Sequence, residues 1–205
     1  MIDIERSLRA GGEDDGGQAE AAAVRLVARA GAEGLADVSY GTVDSPFGAL
    51  LAATTRRGLV RLAFPEEDVD EVLERLARRV SPRIVQAPAA LDAARHELDE
   101  YFNGGRRRFE LTLDRALIGP FSRRVLGATS RIPYGQVLSY QEVAAKAGSP
   151  RGSRAAGNAL GSNPIPIVIP CHRVLRTGGA LGGYGGGLER KRWLLELEGA
   201  LQRDS

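Results

Sequence analysis

The chain of 205 residues holds one cysteine, two histidines and two lysines. Cys171, being alone, cannot form an internal disulfide, which fits a reducing compartment. It also excludes a structural zinc site built on several thiolates. His96 and His172 leave any metal site poor in imidazole as well, so no metal is expected. No run of about eighteen apolar residues occurs, so no membrane span is expected. The segment from Met1 to Gly12 lacks the basic head and long apolar stretch of a signal peptide. A cytoplasmic protein with no membrane partner is the expectation. No aromatic residue precedes Tyr40, and residues 1–36 combine Gly11, Gly12, Gly16 and Gly17 with Glu13-Asp14-Asp15 and an alanine-rich stretch. They read as a poorly anchored extension.

What is present is ordinary for a globular chain: 43% hydrophobic and 26% charged residues, enough length for one or two domains with a real core. Net charge is only +2, but residues 115–154 carry Arg115, Arg123, Arg124, Arg131, Lys146, Arg151 and Arg154 against Glu142 alone. Such a local excess neutralises phosphates, though on charge alone a solvated basic face is the simpler reading.

The pattern predicts an α+β protein. From 37 to 114 it predicts a small α/β domain with an antiparallel sheet. Tyr40–Val43, Ala49–Thr54 and Leu59–Phe64 read as strands separated by Asp44-Ser45-Pro46 and Arg57-Gly58. Helices follow at Asp68–Val80, with Val69, Val72, Leu73, Leu76 and Val80 on one face, and at Leu91–Phe102, stopped by Asn103-Gly104-Gly105. Phe109–Leu113 reads as one more strand. From 115 to 205 the pattern is mainly helical. Phe121–Arg131 is amphipathic, and Ser139 with Glu142 forms a capping box for a helix to about Ala147. Gly148-Ser149-Pro150 breaks the chain before a helix from Ser153 to Leu160, so this pair reads as a helix-turn-helix. The second helix is rich in Ala155, Ala156, Gly157, Ala159 and Gly161, which suits close approach to a ligand or equally to a neighbouring helix.

The segment Asn163-Pro-Ile-Pro-Ile-Val-Ile-Pro-Cys-His-Arg173 carries the chemistry. Its three prolines forbid a helix and a central strand. An extended course places Ile165, Ile167, Ile169 and Cys171 on one side. A lone buried cysteine is usually inert, but this one is preceded by rigid backbone and followed by a histidine and a glycine-rich loop. A thiol reacts as its thiolate and needs a base or a positive field, which His172 supplies. Adjacent side chains diverge in an extended chain, so a bridging water suits better than a direct dyad. An imidazole base wants an orienting carboxylate. Glu198 is the candidate, on a last helix from Glu189 to Leu201 whose apolar face is Leu194, Leu197 and Leu201; a helix-end carboxylate reaching water is the equal alternative. Seven of the ten residues from Gly178 to Gly187 are glycine, yet the loop lacks the lysine of a phosphate loop.

Pro170-Cys-His-Arg-Val174, preceded by Asn163-Pro and followed by the glycine loop and Trp193-Leu-Leu, resembles the O6-alkylguanine-DNA alkyltransferases. The resemblance is dense from Phe121 to Gly199, looser from Tyr40 to Leu113, and absent from 1–36. It implies direct, stoichiometric, irreversible transfer of an alkyl group from O6-alkylguanine in double-stranded DNA to Cys171, with no cofactor. By the same resemblance His172 deprotonates the thiol through a water, Glu198 orients His172, and Asn163 buttresses the turn. Tyr140 donates toward the guanine ring, and Arg154 fills the gap left by a flipped nucleotide. The second helix, with Ala155 and Gly157, enters the minor groove. The carbonyls of Cys171 and Val174 accept from the guanine amino group, while Tyr184 and Gly185 line the base pocket. The resemblance implies a monomer and leaves cooperativity on DNA open. Gly185 stands where some members carry serine and Gly161 where some carry a basic residue. The zinc ligands and the multi-cysteine regulatory domain of other members are absent. Two rival readings of the same residues are a Cys-His hydrolase using His96 and a binder that recognises alkylated bases without repairing them.

Overall fold

The computed structural model describes residues 36–202; the expected N-terminal extension lies almost wholly outside them. Three strands, β1 (Val38–Val43), β2 (Leu50–Thr55) and β3 (Gly58–Ala63), form an antiparallel meander. A short β4 (Ile84–Gln86) then joins β1 in parallel, giving the order β3-β2-β1-β4. The sheet is therefore mixed rather than purely antiparallel. β4 escapes sequence reading because three residues after a proline show no alternation.

Both faces of the sheet are covered, and the sequence of β2 shows how. Leu50 and Ala52 face the large core, while Leu51 and Ala53 face a second cluster under helix α1. Helix α1 (Val69–Arg79) starts where Asp68 accepts the Glu71 N–H at 3.0 Å, and it buries Val72 and Leu76. Val69, expected on that face, is exposed at the first turn. After a 3-10 turn at Pro88–Leu91 comes α2 (Asp92–Phe102), which buries Leu98 and Tyr101. Phe109–Leu113 is not a strand. Its only pairing is a bridge from Leu113 to Leu59, with Thr112 and Asp114 bonding the Leu59 backbone. Glycine at 58 allows this approach, since a Cβ there would lie 2.1 Å from the Thr112 carbonyl oxygen.

The second half contains α3 (Pro120–Thr129), α4 (Tyr140–Lys146), α5 (Ser153–Gly161) and α6 (Leu188–Leu197). The Ser139–Glu142 capping box forms as the sequence predicts. Helices α4 and α5 pack together across the turn at Gly148–Gly152. Arg123 and Arg124 of the basic stretch donate to the carbonyls of Arg115, Ile118 and Ala147, so part of that charge serves the fold. Residues from both halves share one buried cluster, including Leu62, Leu98, Tyr101, Val125, Ile165, Cys171 and Leu194. Edge strand β3 is tied to the second half where Leu62 N–H donates to the Pro164 carbonyl at 2.9 Å. That contact sets the first half against the proline-rich segment. Among the described residues no helix is long and apolar enough to cross a membrane.

Candidate active site

Residues 163–173 are not extended. The chain turns at Pro166–Val168, where Ile169 N–H donates to the Ile165 carbonyl at 2.9 Å, and then enters a 3-10 turn at Cys171–Arg173. Ile167 sits at φ 73°, a left-handed conformation that a β-branched residue adopts only under constraint, at a cost of about 1–3 kcal/mol. The constraint is Asn163. Its Oδ1 accepts from Ile165 N–H at 3.1 Å, and its Nδ2 donates to the Ile169 carbonyl at 2.9 Å and to Cys171 Sγ at 3.2 Å. Prolines remove ladder donors, as the sequence implies, but a side-chain amide closes the segment into a loop instead of leaving it straight. Ile165, Ile167, Ile169 and Cys171 are all buried, though not by sharing one side of a strand. Asn163→Ala is expected to lose about 2–4 kcal/mol through these unmade bonds. The measurement is urea unfolding, read as a lower midpoint at unchanged slope. A midpoint like that of the parent would remove Asn163 from this role.

A 3-10 turn rotates successive side chains by about 120°. Cys171 thus lines the cavity, while His172 and Arg173 point inward. Beneath them lies Glu198, 5% exposed. It does not reach water, and it is not within the helix: α6 ends at Leu197, and Gly199 at φ 70° turns the chain away. Glu198 Oε1 accepts from His172 Nε2 at 2.9 Å, Tyr101 OH at 2.6 Å and Arg173 Nη2 at 2.9 Å. Its Oε2 accepts from Arg173 Nε at 2.8 Å and Gly135 N–H at 3.3 Å. Burial alone would raise this carboxyl, but the hydrogen bonds and charges of His172 and Arg173 outweigh it and hold Glu198 at about 2.

An ionised Glu198 only accepts, so it assigns the proton of neutral His172 to Nε2. Nδ1 is then the basic nitrogen. It is buried and has no hydrogen-bond partner among the described residues. Burial pushes the His172 pKa down, with Glu198 pulling the other way. Burial also pushes the Cys171 thiol up to about 11, against the lowering effects of Asn163, the Lys191 charge and nearby backbone N–H groups. At neutral pH the pair therefore rests as thiol and neutral imidazole.

Cys171 opens on a cavity of about 580 Å³. Of the residues expected from sequence, Tyr140, Arg154, Gly157, Tyr184 and Gly185 line it together with Cys171. Arg154 and Ala155 are exposed on α5, but Ala155 does not reach the cavity wall. Tyr140 OH donates to the Gly183 carbonyl at 3.0 Å. The glycine loop folds over Tyr140 closely enough that a Cβ at Gly182 would sit 2.9 Å from the ring. The Val174 carbonyl, expected to face guanine, accepts from Lys191 Nζ at 2.6 Å, so one of its lone pairs is already engaged. His96 lies on the surface beside Glu100, away from Cys171, which leaves a hydrolase without its second histidine.

Four contributors escape sequence reading. Tyr101 and Arg173 hold Glu198, and Arg176 lines the cavity beside Arg154. Lys191 is fully buried and bonds the Val174, Leu181 and Gly183 carbonyls, fixing the glycine loop against the Cys171 turn. Burial lowers its pKa to about 8. One signal was available for Lys191: it is one of two lysines in an arginine-rich chain. Among the described residues no cluster of His, Cys, Asp and Glu could hold a metal.

Residues 120–200 match the family profile described as 6-O-methylguanine DNA methyltransferase, DNA binding domain, and residues 38–115 match its ribonuclease-like domain. The chain is 44% identical over 164 residues to a methylated-DNA–protein-cysteine methyltransferase of Mycolicibacterium paratuberculosis, covering 78% of this chain and 92% of the relative. It is 38% identical over 163 residues to the constitutive enzyme of Bacillus subtilis, covering 78% and 94%. Among solved structures, it resembles the O6-methylguanine methyltransferase of Mycobacterium tuberculosis with a TM-score of 0.69 at 40% identity, over 79% of this chain and 93% of that one. The same organism's protein in complex with DNA matches with a TM-score of 0.68 at 41% identity, over 78% and 92%. The buried Cys-His-Glu arrangement thus lies within a chain that belongs to the O6-alkylguanine-DNA alkyltransferase, or methylated-DNA–protein-cysteine methyltransferase, family.

Proposed function

We propose that this protein repairs DNA by moving an alkyl group from O6 of guanine in a duplex onto Cys171, once per molecule. The observation that carries the reading is the relay from Glu198 through His172 Nε2, which leaves a bare buried Nδ1 on the residue next to the thiol. His172 takes the thiol proton, through a bridging water, as the substrate seats. Sulfur then attacks the alkyl carbon in line with O6, the S–C bond forms, and the C–O6 bond breaks with its electrons passing to guanine. Tyr140 donates toward the ring as that charge develops, exchanging its hydrogen bond to the Gly183 carbonyl for one to the base. The product thioether has no good leaving group, so the protein is spent. No metal or cofactor enters this sequence of steps.

A thiol buried in this cavity cannot reach a base stacked in a duplex, so the nucleotide must rotate out. Helices α4 and α5 serve as the helix-turn-helix. The exposed face of α5, with Ser153, Arg154, Ala155 and Asn158, is small enough for the minor groove. Arg154, exposed at the cavity rim, takes the place vacated by the flipped nucleotide. Arg154→Ala is expected to slow repair of duplex by about tenfold to a hundredfold, on the scale of a few kcal/mol for unstacking. Attack on free O6-benzylguanine should stay within about twofold, because no base is flipped there. Parallel kinetics on the two substrates decide this, and equal losses would remove the flipping role.

Binding is to double-stranded DNA as a monomer, in the cytosol beside the nucleoid, where the thiol stays reduced. The test is a titration of a duplex containing one O6-methylguanine, scored by restored guanine. Repair should plateau at one lesion per protein. Continued turnover beyond that would contradict the reading.

A further inference from the structure

Cys171 borders two cavities. Besides the one facing α4 and α5, a second, of about 230 Å³, lies between the Cys171 wall and the first half of the chain. The two share Leu160, Gly161, Cys171, Tyr184 and Gly185, so they meet at the thiol. The second is far larger than a methyl group requires, and its far side is charged: Arg61, Glu67 and Arg75.

Those charges do not cancel. Arg61 Nη1 donates to the Leu62 and Pro164 carbonyls at 3.1 Å each, and its Nη2 is paired with Glu67. Glu67 is further engaged by the Phe64 N–H at 3.0 Å. Arg75, on α1, has no hydrogen-bond or ion-pair partner among the described residues, and its positive charge bears on Arg61. One arginine is thus neutralised and anchored, and the other is unspent.

Displacement at carbon places the sulfur and O6 on one line, with the three remaining substituents around the equator of the attacked carbon. Anything beyond a methyl group must leave sideways. The cavity that faces the helices is needed for the base, so the open side is the one toward Arg61 and Arg75. We propose that Arg75, on the far wall of this cavity, makes the alkyl side of the site selective for groups ending in an anion, such as carboxymethyl. The proposal rests on the alkyl-transfer reading above. The covalent step balances as for methyl. Cys171 sulfur bonds the CH2 of the carboxymethyl group, and the C–O6 bond breaks toward guanine, which takes up the proton given up by the thiol. The carboxylate stays on the thioether, facing Arg75.

The test compares single-turnover rates on three duplexes carrying O6-methylguanine, O6-carboxymethylguanine and the neutral isostere O6-carbamoylmethylguanine, for the parent protein and for Arg75→Gln. Any loss of general DNA attraction cancels in the carboxymethyl-to-carbamoylmethyl ratio. That ratio should fall about fivefold in Arg75→Gln, the scale of one partly exposed ion pair, while the methyl rate stays within about twofold. An unchanged ratio, or equal loss on all three substrates, overturns this role of Arg75. Failure of the parent protein to act on any of the three would instead overturn the transfer reading itself.

Discussion

Cys171→Ala is expected to transfer no alkyl group at all and still to bind a duplex carrying the lesion. The loss is complete because Cys171 is the only thiol in the chain, so no second nucleophile of its kind can substitute. Binding survives because the groups proposed to contact DNA are elsewhere. Arg154 and the exposed face of α5 are separate from the turn, and Tyr140 is held by Gly183 rather than by the thiol. The fold should survive too. The side chain removed is small, and Asn163 retains two of its three hydrogen bonds, to Ile165 and Ile169. Gel-shift affinity and a covalent-transfer assay on the same preparation check both halves. Retained transfer would sink the mechanism, and lost binding with an intact fold would sink the separation of roles.

His172→Gln is expected to slow transfer on the order of a thousandfold at neutral pH, within the usual range for a lost general base. The more telling change is in the pH profile. On the proposed mechanism the proton in the parent protein moves internally from the thiol to the neutral imidazole, a redistribution that neither consumes nor releases protons. Because burial lowers the His172 pKa below its ordinary value, the imidazole is neutral throughout the range. The rate should then show no rise between about pH 7 and 9, any change being a fall as Lys191, held at about 8, loses the charge that favours the thiolate. In His172→Gln the thiolate must form by loss of a proton to solvent. With burial holding the thiol up at about 11, the rate should climb about tenfold per pH unit over that range. A flat profile in the variant would mean that His172 does not carry the proton. A merely structural role for His172 would lower the rate without tilting the profile.

The sequence makes some of this legible for clear physical reasons. The capping box at Ser139 and Glu142, the amphipathic α1 and the meander of β1 to β3 depend on local pattern, and they form as expected. Cys171 and His172 are identifiable from residue chemistry alone. Their geometry is not. An extended course for 163–173 follows from proline counting, but that ignores a side-chain amide able to close the backbone hydrogen bonds from Asn163. The buried stripe of α6 shows a similar limit. A 3.6-residue period through Leu194, Leu197 and Leu201 finds Glu198 close to the stripe. The residues buried in fact are Lys191, Leu194, Leu195 and Glu198. Counting only apolar residues misses a stripe whose two ends are charged. Tyr101 is out of reach of sequence reasoning altogether, since it contacts Glu198 across a separation of 97 residues and from the other half of the chain.

That contact gives the first half of the chain a part in the site. The small α/β half delivers Tyr101 to the carboxylate, Arg61 to the Pro164 carbonyl and Phe64 to the glycine loop, where a Cβ on Gly186 would meet the Phe64 ring at 2.6 Å. The donors on Glu198 come from both halves, so its ionisation, and with it the basicity of His172 Nδ1, depends on how the halves pack. Replacing such a buried carboxylate's partners singly leaves charge uncompensated and is costly.

The central claim is that Cys171 keeps the alkyl group. Intact-protein mass after incubation with a duplex containing one O6-methylguanine tests it most directly, followed by peptide mapping. The account predicts a gain of one CH2 unit, mapped to Cys171 and saturating at one per protein molecule. No gain in mass, with tight binding to the lesion retained, would contradict it and leave a protein that recognises the damage without removing it.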